Sequence, residues 1–411
     1  MKKIAISLLA LLLFVGTSIA QTASWTLLTS GTTQSLQGVS APGINICYVA
    51  GNAGTIRKTT DGGTTWVAQA SGSSQDFYYI LFLDNNTGYA VGNSMALIRT
   101  SDGGSTWTPM TVPVTGKSFR HIFFLDSNTG FISGGPSGGP GAGTILKTSD
   151  GGTTWVNTTV TGTTSAIYGM YFTSPTDGYA VEFSGKILKT TNGGSNWSLL
   201  VSGTTSPLQN VFFTGINNGL VIGGNASVRK TTDAGASWSG VSVPSASTDF
   251  YPGIDFYDAN NGFIVGGEPT ANTGTILTTT DGGNSWTASY PGTNRLYRVD
   301  LVNANTGYAV GNSGLILKYT SNVGITEETN KSIFKAYPNP FSETTTIDCS
   351  KYDFVGVQSI QLFDINGKLV RSVVGKNKIF TLDRNGLDAG TYLYKVFDGI
   401  NVIGAEKLMI Q

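Results

Sequence analysis

At 411 residues, with 25 basic against 25 acidic side chains and only 12% charged residues, the chain lacks the positive excess that nucleic acid or an anionic membrane recruits. Its 55 glycines, its many Ser and Thr and the absence of helix-period stretches read as all-β. Cys47 and Cys349 are too few for a disulfide framework and are expected to be reduced and buried.

In chain order, Met1-Lys2-Lys3 is a basic start, residues 4–15 are an apolar run and Ser18-Ile19-Ala20 is a small-residue cleavage site, so residues 1–20 read as a signal peptide. The run is short for a bilayer span, and no later stretch is apolar enough to be one. The expectation is an exported chain, soluble once processed. Its mature charge is 23 basic against 25 acidic, which again disfavours nucleic acid.

The middle of the chain repeats. Thr59-Thr60-Asp61-Gly62-Gly63-Thr64-Thr65-Trp66 returns in variants whose third residue is Asp102, Asp150, Asn192, Asp233 and Asp281, spaced 41, 48, 42, 41 and 48 residues apart. The glycines supply positive φ in a tight turn, the acid accepts turn amides, and the Trp brings a large apolar face with one N–H that needs a partner. One acid per box is a poor metal site, since a calcium loop needs several oxygens and a closing Glu. Each unit also holds three short apolar runs, the first two split by turns such as Asn86-Thr87-Gly88, Asn128-Thr129-Gly130 and Asn305-Thr306-Gly307. Four antiparallel strands in about 40 residues make a propeller blade. Six boxes end in Trp, and a seventh unit, residues 296–320, loses its box. Residues 24–33, around Trp25, match residues 196–205, around Trp197, so the N-terminus is expected to supply the outer strand of the last blade and close a seven-bladed ring. This box resembles the Asp-box, and residues 21–322 resemble propellers of the photosystem II stability/assembly-factor type, themselves similar to sialidase-like proteins. The resemblance implies a fold far more than a function.

Residues 323–331 read as a polar linker, and residues 332–411 as a small Ig-like β-sandwich. Tyr337-Pro338-Asn339-Pro340-Phe341, Asp364-Ile365-Asn366-Gly367-Lys368, Leu387-Asp388-Ala389-Gly390-Thr391-Tyr392 and the Lys407-Leu408-Met409-Ile410-Gln411 end resemble the C-terminal sorting domain of type IX secretion cargo in Bacteroidetes. That family implies Sec passage, delivery across the outer membrane by the type IX machinery, and removal of the domain with release or attachment at the surface. A carbohydrate-binding or fibronectin-like module is the alternative.

No catalytic constellation stands out. A sialidase would need an arginine triad, a Tyr with a Glu partner and an Asp acid. Arg57, Arg99 and Arg229 sit just before boxes and read as scaffold; Arg120, Arg295 and Arg298 remain, and Arg120 and Arg298 fall in adjacent columns that face opposite ways. His121, the chain's one histidine, has no Ser or Cys motif beside it, and no P-loop or metal-binding Cys/His pattern occurs. No cofactor, metal or catalytic residue is expected. Along the innermost strands, the columns containing Ile80 and Phe82 are apolar throughout and should pack between blades. The entrance column instead reads Gln37, Tyr78, Arg120, Tyr168, Gln209, Pro252, Tyr297, and the next Gly38, Tyr79, His121, Gly169, Asn210, Gly253, Arg298. Such a rim suits a polar ligand with flat apolar faces, a glycan or a peptide; a merely solvated rim is the other reading. Glu182 replaces a glycine that recurs at the end of the second strand, and two insertions, residues 135–142 and 268–272, fall in second-to-third-strand loops of the same face. Tyr78, Arg120, His121, Tyr168, Glu182, Gln209, Tyr297 and Arg298 are therefore the candidate ligand-binding residues, with Glu182 alternatively a drifted surface residue. The expected protein is a monomeric, non-catalytic binding or scaffold module; a glycoside hydrolase and an adhesin platform are the alternatives.

Overall fold

The computed structural model describes residues 23–137, 141–289, 292–321, 334–352, 354, 358–364, 369–375, 378–398 and 401–411. The expected signal peptide and linker lie outside the described residues, as do 138–140 of the first insertion and 365–368 of the Asp364 motif. The chain divides into two compact units, Met1–Val323 and Gly324–Gln411.

The first unit is a ring of seven antiparallel sheets. Blade 1 runs outwards through Leu36–Ser40, Cys47–Gly51, Ile56–Thr59 and Val67–Gln69. The innermost strands of blades 2 to 7 are Phe77–Phe82, Lys117–Phe124, Ile167–Phe172, Leu208–Phe213, Phe250–Phe256 and Leu296–Asn303. Each packs on the next, and the last packs on the first. Blade 7 takes its outer strand, Ala23–Leu28, from the other end of the chain, with Trp25 opposite Tyr319. Blade 4 carries a fifth strand, Thr159–Val160, parallel to Asn196–Leu200 on its outer edge.

Apolar alternation in these strands fills the space between blades. One core joins Tyr48 and Ala50 of blade 1 to Phe77, Ile80, Phe82, Ile98 and Trp107 of blade 2, and this is repeated round the ring. The box holds each outer turn. Gly63 N–H donates to Thr59 Oγ1 at 2.8 Å, Thr59 Oγ1 donates to Asp61 Oδ1 at 2.8 Å, and Thr65 donates its N–H (2.9 Å) and hydroxyl (2.7 Å) to the two Asp61 oxygens. The same pattern recurs at Asp102, Asp150, Asp233 and Asp281. In blades 2 to 6 the Trp closes the turn edge-on to a ring of its own blade, as at Phe82–Trp107 (5.9 Å, 89°), and in blade 1 Trp66 stands edge-on to Tyr308 of blade 7. Contrary to expectation, Nε1 of all six box tryptophans has no hydrogen-bond partner. It lies over the second box glycine, about 3.5 Å from where a Cβ would stand at Gly104, and burial of the indole outweighs the unmade bond.

The basic residues before the boxes are scaffold, but in two positions rather than one. Arg229 donates to the Trp238 carbonyl of its own blade at 2.8 Å. One position further, each cation serves the next blade. Lys58, Lys147, Lys230 and Lys318 donate to box carbonyls of Gly103, Gly193, Gly282 and Gly62 at 2.7–2.8 Å, and Lys189 to Ala234 at 3.1 Å. In blade 2 Arg99 reaches Tyr89 Oη, which donates to the Gly151 carbonyl at 2.8 Å. Charge-assisted latches of this kind are stronger than neutral ones.

The second unit has two sheets. Lys335–Tyr337, Thr344–Asp348 and Ile379–Asp383 form one; Gln358–Phe363, Leu369–Gly375, Gly390–Asp398 and Asn401–Ile410 form the other. Ile347, Phe380 and Leu382 face Ile360, Leu362, Tyr394 and Leu408 in one core between them. Cys47 and Cys349 are free and buried.

Candidate functional site

Every innermost strand carries a β-bulge at its entrance. The register slips between Leu36 and Gly38, Phe77 and Tyr79, Phe119 and His121, Ile167 and Gly169, Leu208 and Asn210, Phe250 and Gly253, and Leu296 and Arg298. The unpaired residues are Gln37, Tyr78, Arg120, Tyr168, Gln209, Tyr297 and the Tyr251–Pro252 pair. A bulge re-aims a side chain, so these residues leave the simple in–out alternation that the sequence suggests.

The rim they build is an alternating belt. The Arg120 guanidinium lies 4.3 Å from the Tyr78 ring and 5.0 Å from Tyr168. Tyr168 meets Phe183 at 5.3 Å, and Phe183 meets Phe250 at 6.3 Å. Arg295 continues the belt, 5.0 Å from Phe250 and 5.3 Å from Tyr297. Among the described residues no carboxylate comes within ion-pair distance of Arg120 or Arg295, and the Nε of each has no partner. Guanidinium faces stacked on rings leave N–H edges free for a carboxylate or another planar acceptor. Phe183, 39% exposed, occupies the place held by Asn52, Asn93 and Asn312 in blades 1, 2 and 7. In blades 1 and 7 that Asn ties the rim down: Gln37 donates to Asn52 at 2.6 Å and Tyr297 Oη to Asn312 at 2.7 Å. Asn272, in the second insertion, accepts from Arg295 N–H at 3.2 Å and from the Asn312 amide, so that loop braces the Arg295–Tyr297 side.

The remaining candidates part company with the rim. Glu182 is fully buried, and this corrects its expected place at a ligand. Its Oε1 accepts from the backbone N–H groups of Thr164 and Ser165 and so holds a loop, while its Oε2 lies 3.8 Å from Lys186 Nζ and makes no hydrogen bond. Gln209 is buried with Nε2 unpartnered. His121 and Arg298 line the central channel one residue deeper. The His121 ring packs on Tyr79 at 4.2 Å, and the Arg298 guanidinium lies 4.9 Å from the same ring.

Two residues further in, the sequence reading missed Asp255 and Asp300. They stand in a column that otherwise reads Ser40, Leu81, Phe123, Tyr171 and Phe212. They stitch neighbouring blades together: Asp255 accepts from Leu301 N–H at 2.7 Å, Asp300 from Ala41 N–H at 2.6 Å, and Ser40 Oγ likewise from Phe82 N–H at 3.0 Å. Burial pushes both carboxyls up, with the charge of Asp300 adding to the shift at Asp255; Asp300 is raised to about 6. Burial holds His121 well below the usual imidazole range, helped by the Arg298 charge. Among the described residues no three His, Cys, Asp or Glu side chains converge as metal ligands.

These shifts set opposite pH limits. The box acids are held low by Thr and Ser hydroxyls and turn amides, Asp61 and Asp233 at about 2. Their folded values lie below the unfolded one, so their contribution is present above pH ~4 and is lost as pH falls towards 2. Both inner carboxyls are raised, so their contribution is present below pH ~4 and is lost as pH rises, for Asp300 through about 6. The melting temperature should therefore be higher at pH 5 than at pH 2.5 or 7.5. Asp300→Asn, which keeps an acceptor for Ala41, should shrink the difference between pH 5 and 7.5. An unchanged difference in that variant, by differential scanning calorimetry, would assign the alkaline decline to other groups.

A family described as "Photosynthesis system II assembly factor YCF48" matches residues 17–112, 71–161 and 189–288, which together are more than half of the chain. A family described as "Secretion system C-terminal sorting domain" matches residues 335–411. No curated protein matches the chain. Among solved structures, one described as "YCF48 bound to D1 peptide" is 20% identical, with 73% of this chain and 95% of that one covered at a TM-score of 0.60. YCF48 from Cyanidioschyzon merolae is 17% identical, covering 72% and 99% at 0.58. A streptogramin B lyase is 13% identical, covering 74% and 100% at 0.62. At such identities the likeness is one of fold.

Proposed function

We propose, for a chain that belongs to the family of the photosynthesis system II assembly factor YCF48 and ends in a secretion system C-terminal sorting domain, that it is a non-catalytic binding module whose propeller rim holds an extended ligand outside the cell. The sorting domain supports export by type IX secretion, so a photosynthetic role does not follow from the family name. In this reading residues 1–20 are removed on export, residues 21–322 form the working propeller, 323–331 link it to the tail, and 332–411 engage the secretion machinery. The product is a monomer, released or held at the surface.

The observation that carries the reading is Arg120, stacked between Tyr78 and Tyr168 beside exposed Phe183, with no carboxylate of its own. Buried cations are normally paired, and half-buried ones beside apolar rings are common anchors of recognition. The belt suits a ligand that presents acidic groups beside flat apolar ones: a peptide first, a glycan second. A propeller of the same fold is described as bound to a D1 peptide, which favours the peptide. A hydrolase would need free carboxyls at the rim, and Asp255 and Asp300 lie deeper and already accept backbone amides.

With a ligand chosen from a peptide and glycan array, Arg120→Ala or Tyr168→Ala should weaken binding at least tenfold, about 1.4 kcal/mol. Asp102→Ala, in a box, should lower stability and leave the affinity of the folded fraction unchanged. The reverse result would place the ligand on the box face, and chemical turnover of a bound glycan would replace the binding reading with an enzymatic one.

A further inference from the structure

Below the rim the inner strands pack closely in a layer where large residues meet small ones. The Tyr79 backbone lies against Gly38, Asn210 against Gly169 and the Arg298 backbone against Gly253, and at each glycine a Cβ would come within about 3 Å of its neighbour. Arg298 is the one cation in this layer. Its Nη1 donates to the Pro252 carbonyl, which also accepts from Asn210 Nδ2 at 3.3 Å. Among the described residues it has no other acceptor, and no carboxylate lies within ion-pair distance. Asp255 and Asp300 are engaged with backbone amides deeper in. Arg298 is half-buried, so its guanidinium is partly stripped of water and gains from a counter-charge at its unbonded N–H edge. One further group nearby is unspent: His121, 4% exposed and packed on the same Tyr79 ring as Arg298, has no partner for Nδ1.

We propose that this layer is an anion site, in which a carboxylate entering from the rim is held by the free N–H edge of Arg298 beside His121. Carboxylate geometry matches a guanidinium edge bidentately, and a neutral imidazole N–H adds a donor without adding charge. The carboxylate comes either from a free small acid or from the carboxyl terminus of a polypeptide lying across the rim. The site stands on Arg298 and its surroundings and does not depend on the Arg120 rim reading.

Because His121 is the chain's one histidine, its ring nitrogens give an unambiguous signal. The whole mature chain, labelled at histidine, is titrated at constant ionic strength with acetate, with N-acetylglycylglycine, and with the amide of that dipeptide. Both acids should shift the His121 ring resonances saturably and raise its pKa, while the amide leaves them unmoved. A free-acid dipeptide at least tenfold tighter than acetate identifies a chain terminus as the source, and equal affinities identify a free small acid. Arg298→Gln should weaken acetate at least tenfold; if it does not fold, Arg298→Lys, which keeps the charge but not the fork, should still weaken it severalfold. The proposal is overturned if neither acid gives a saturable shift, if the amide acts like the acids, or if the Arg298 variants bind acetate as the wild type does.

Discussion

Removal of residues 21–33 should open the ring. Ala23–Leu28 pairs along its whole length with the strand Ile316–Ser321, and Trp25 rests on Phe263 and Tyr319 at 5.3 Å each. Without it, that strand becomes an unpaired edge, a ready template for aggregation, and the apolar side of blade 7 meets water. Loss of the partly buried indole and of the ladder together is worth on the order of 5 kcal/mol. For a unit of this size that corresponds to a fall of roughly 10–20 °C in melting temperature, or to insoluble protein. Trp25→Phe, which keeps the ladder and an aromatic ring, should cost far less. A melt left unchanged by the deletion, followed by circular dichroism, would mean that the ring closes without this strand.

Deletion of residues 331–411 should act on delivery and spare folding. The tail has its own two sheets and its own core, and the contacts of the chain divide at Val323. In a host with a type IX system the truncated chain should remain folded and accumulate in the periplasm, with surface and medium fractions reduced at least tenfold. Protease resistance separates this result from misfolding. Normal delivery of the truncated chain would contradict a sorting role for the matched region.

Much of the ring is legible because a blade cannot bury its faces alone, so its apolar columns must repeat. The box spacing and the match of residues 24–33 to residues 196–205 lead directly to the Trp25–Tyr319 pairing. The site is less legible for a physical reason. Strict alternation places Arg120 and His121 on opposite faces, but a bulge intervenes in every inner strand, and which residue it extrudes depends on the partner strand. The burial of Glu182, expected at a ligand or at the open surface, is not legible because its donors, Thr164 and Ser165, are 18 and 17 residues away in sequence. Phe183 was readable: it breaks the Gly-Asn step seen at Gly51-Asn52, Gly92-Asn93 and Gly311-Asn312. So were Asp255 and Asp300, the only two carboxylates in their column. What the sequence hides is their use as acceptors for the amides of the next blade. The lysine latches escape for the same reason, since Lys58 and Gly103 are 45 residues apart.

The central claim is that ligand rests on the rim. Amide hydrogen exchange of the mature chain, with and without a ligand taken from the array, tests this without altering a residue. Slowed exchange should concentrate at the inner-strand entrances, residues 77–79, 119–121, 167–169 and 295–298, and around Phe183. Protection confined to the box turns, such as residues 61–65 and 102–106, with the entrances unchanged, would contradict it.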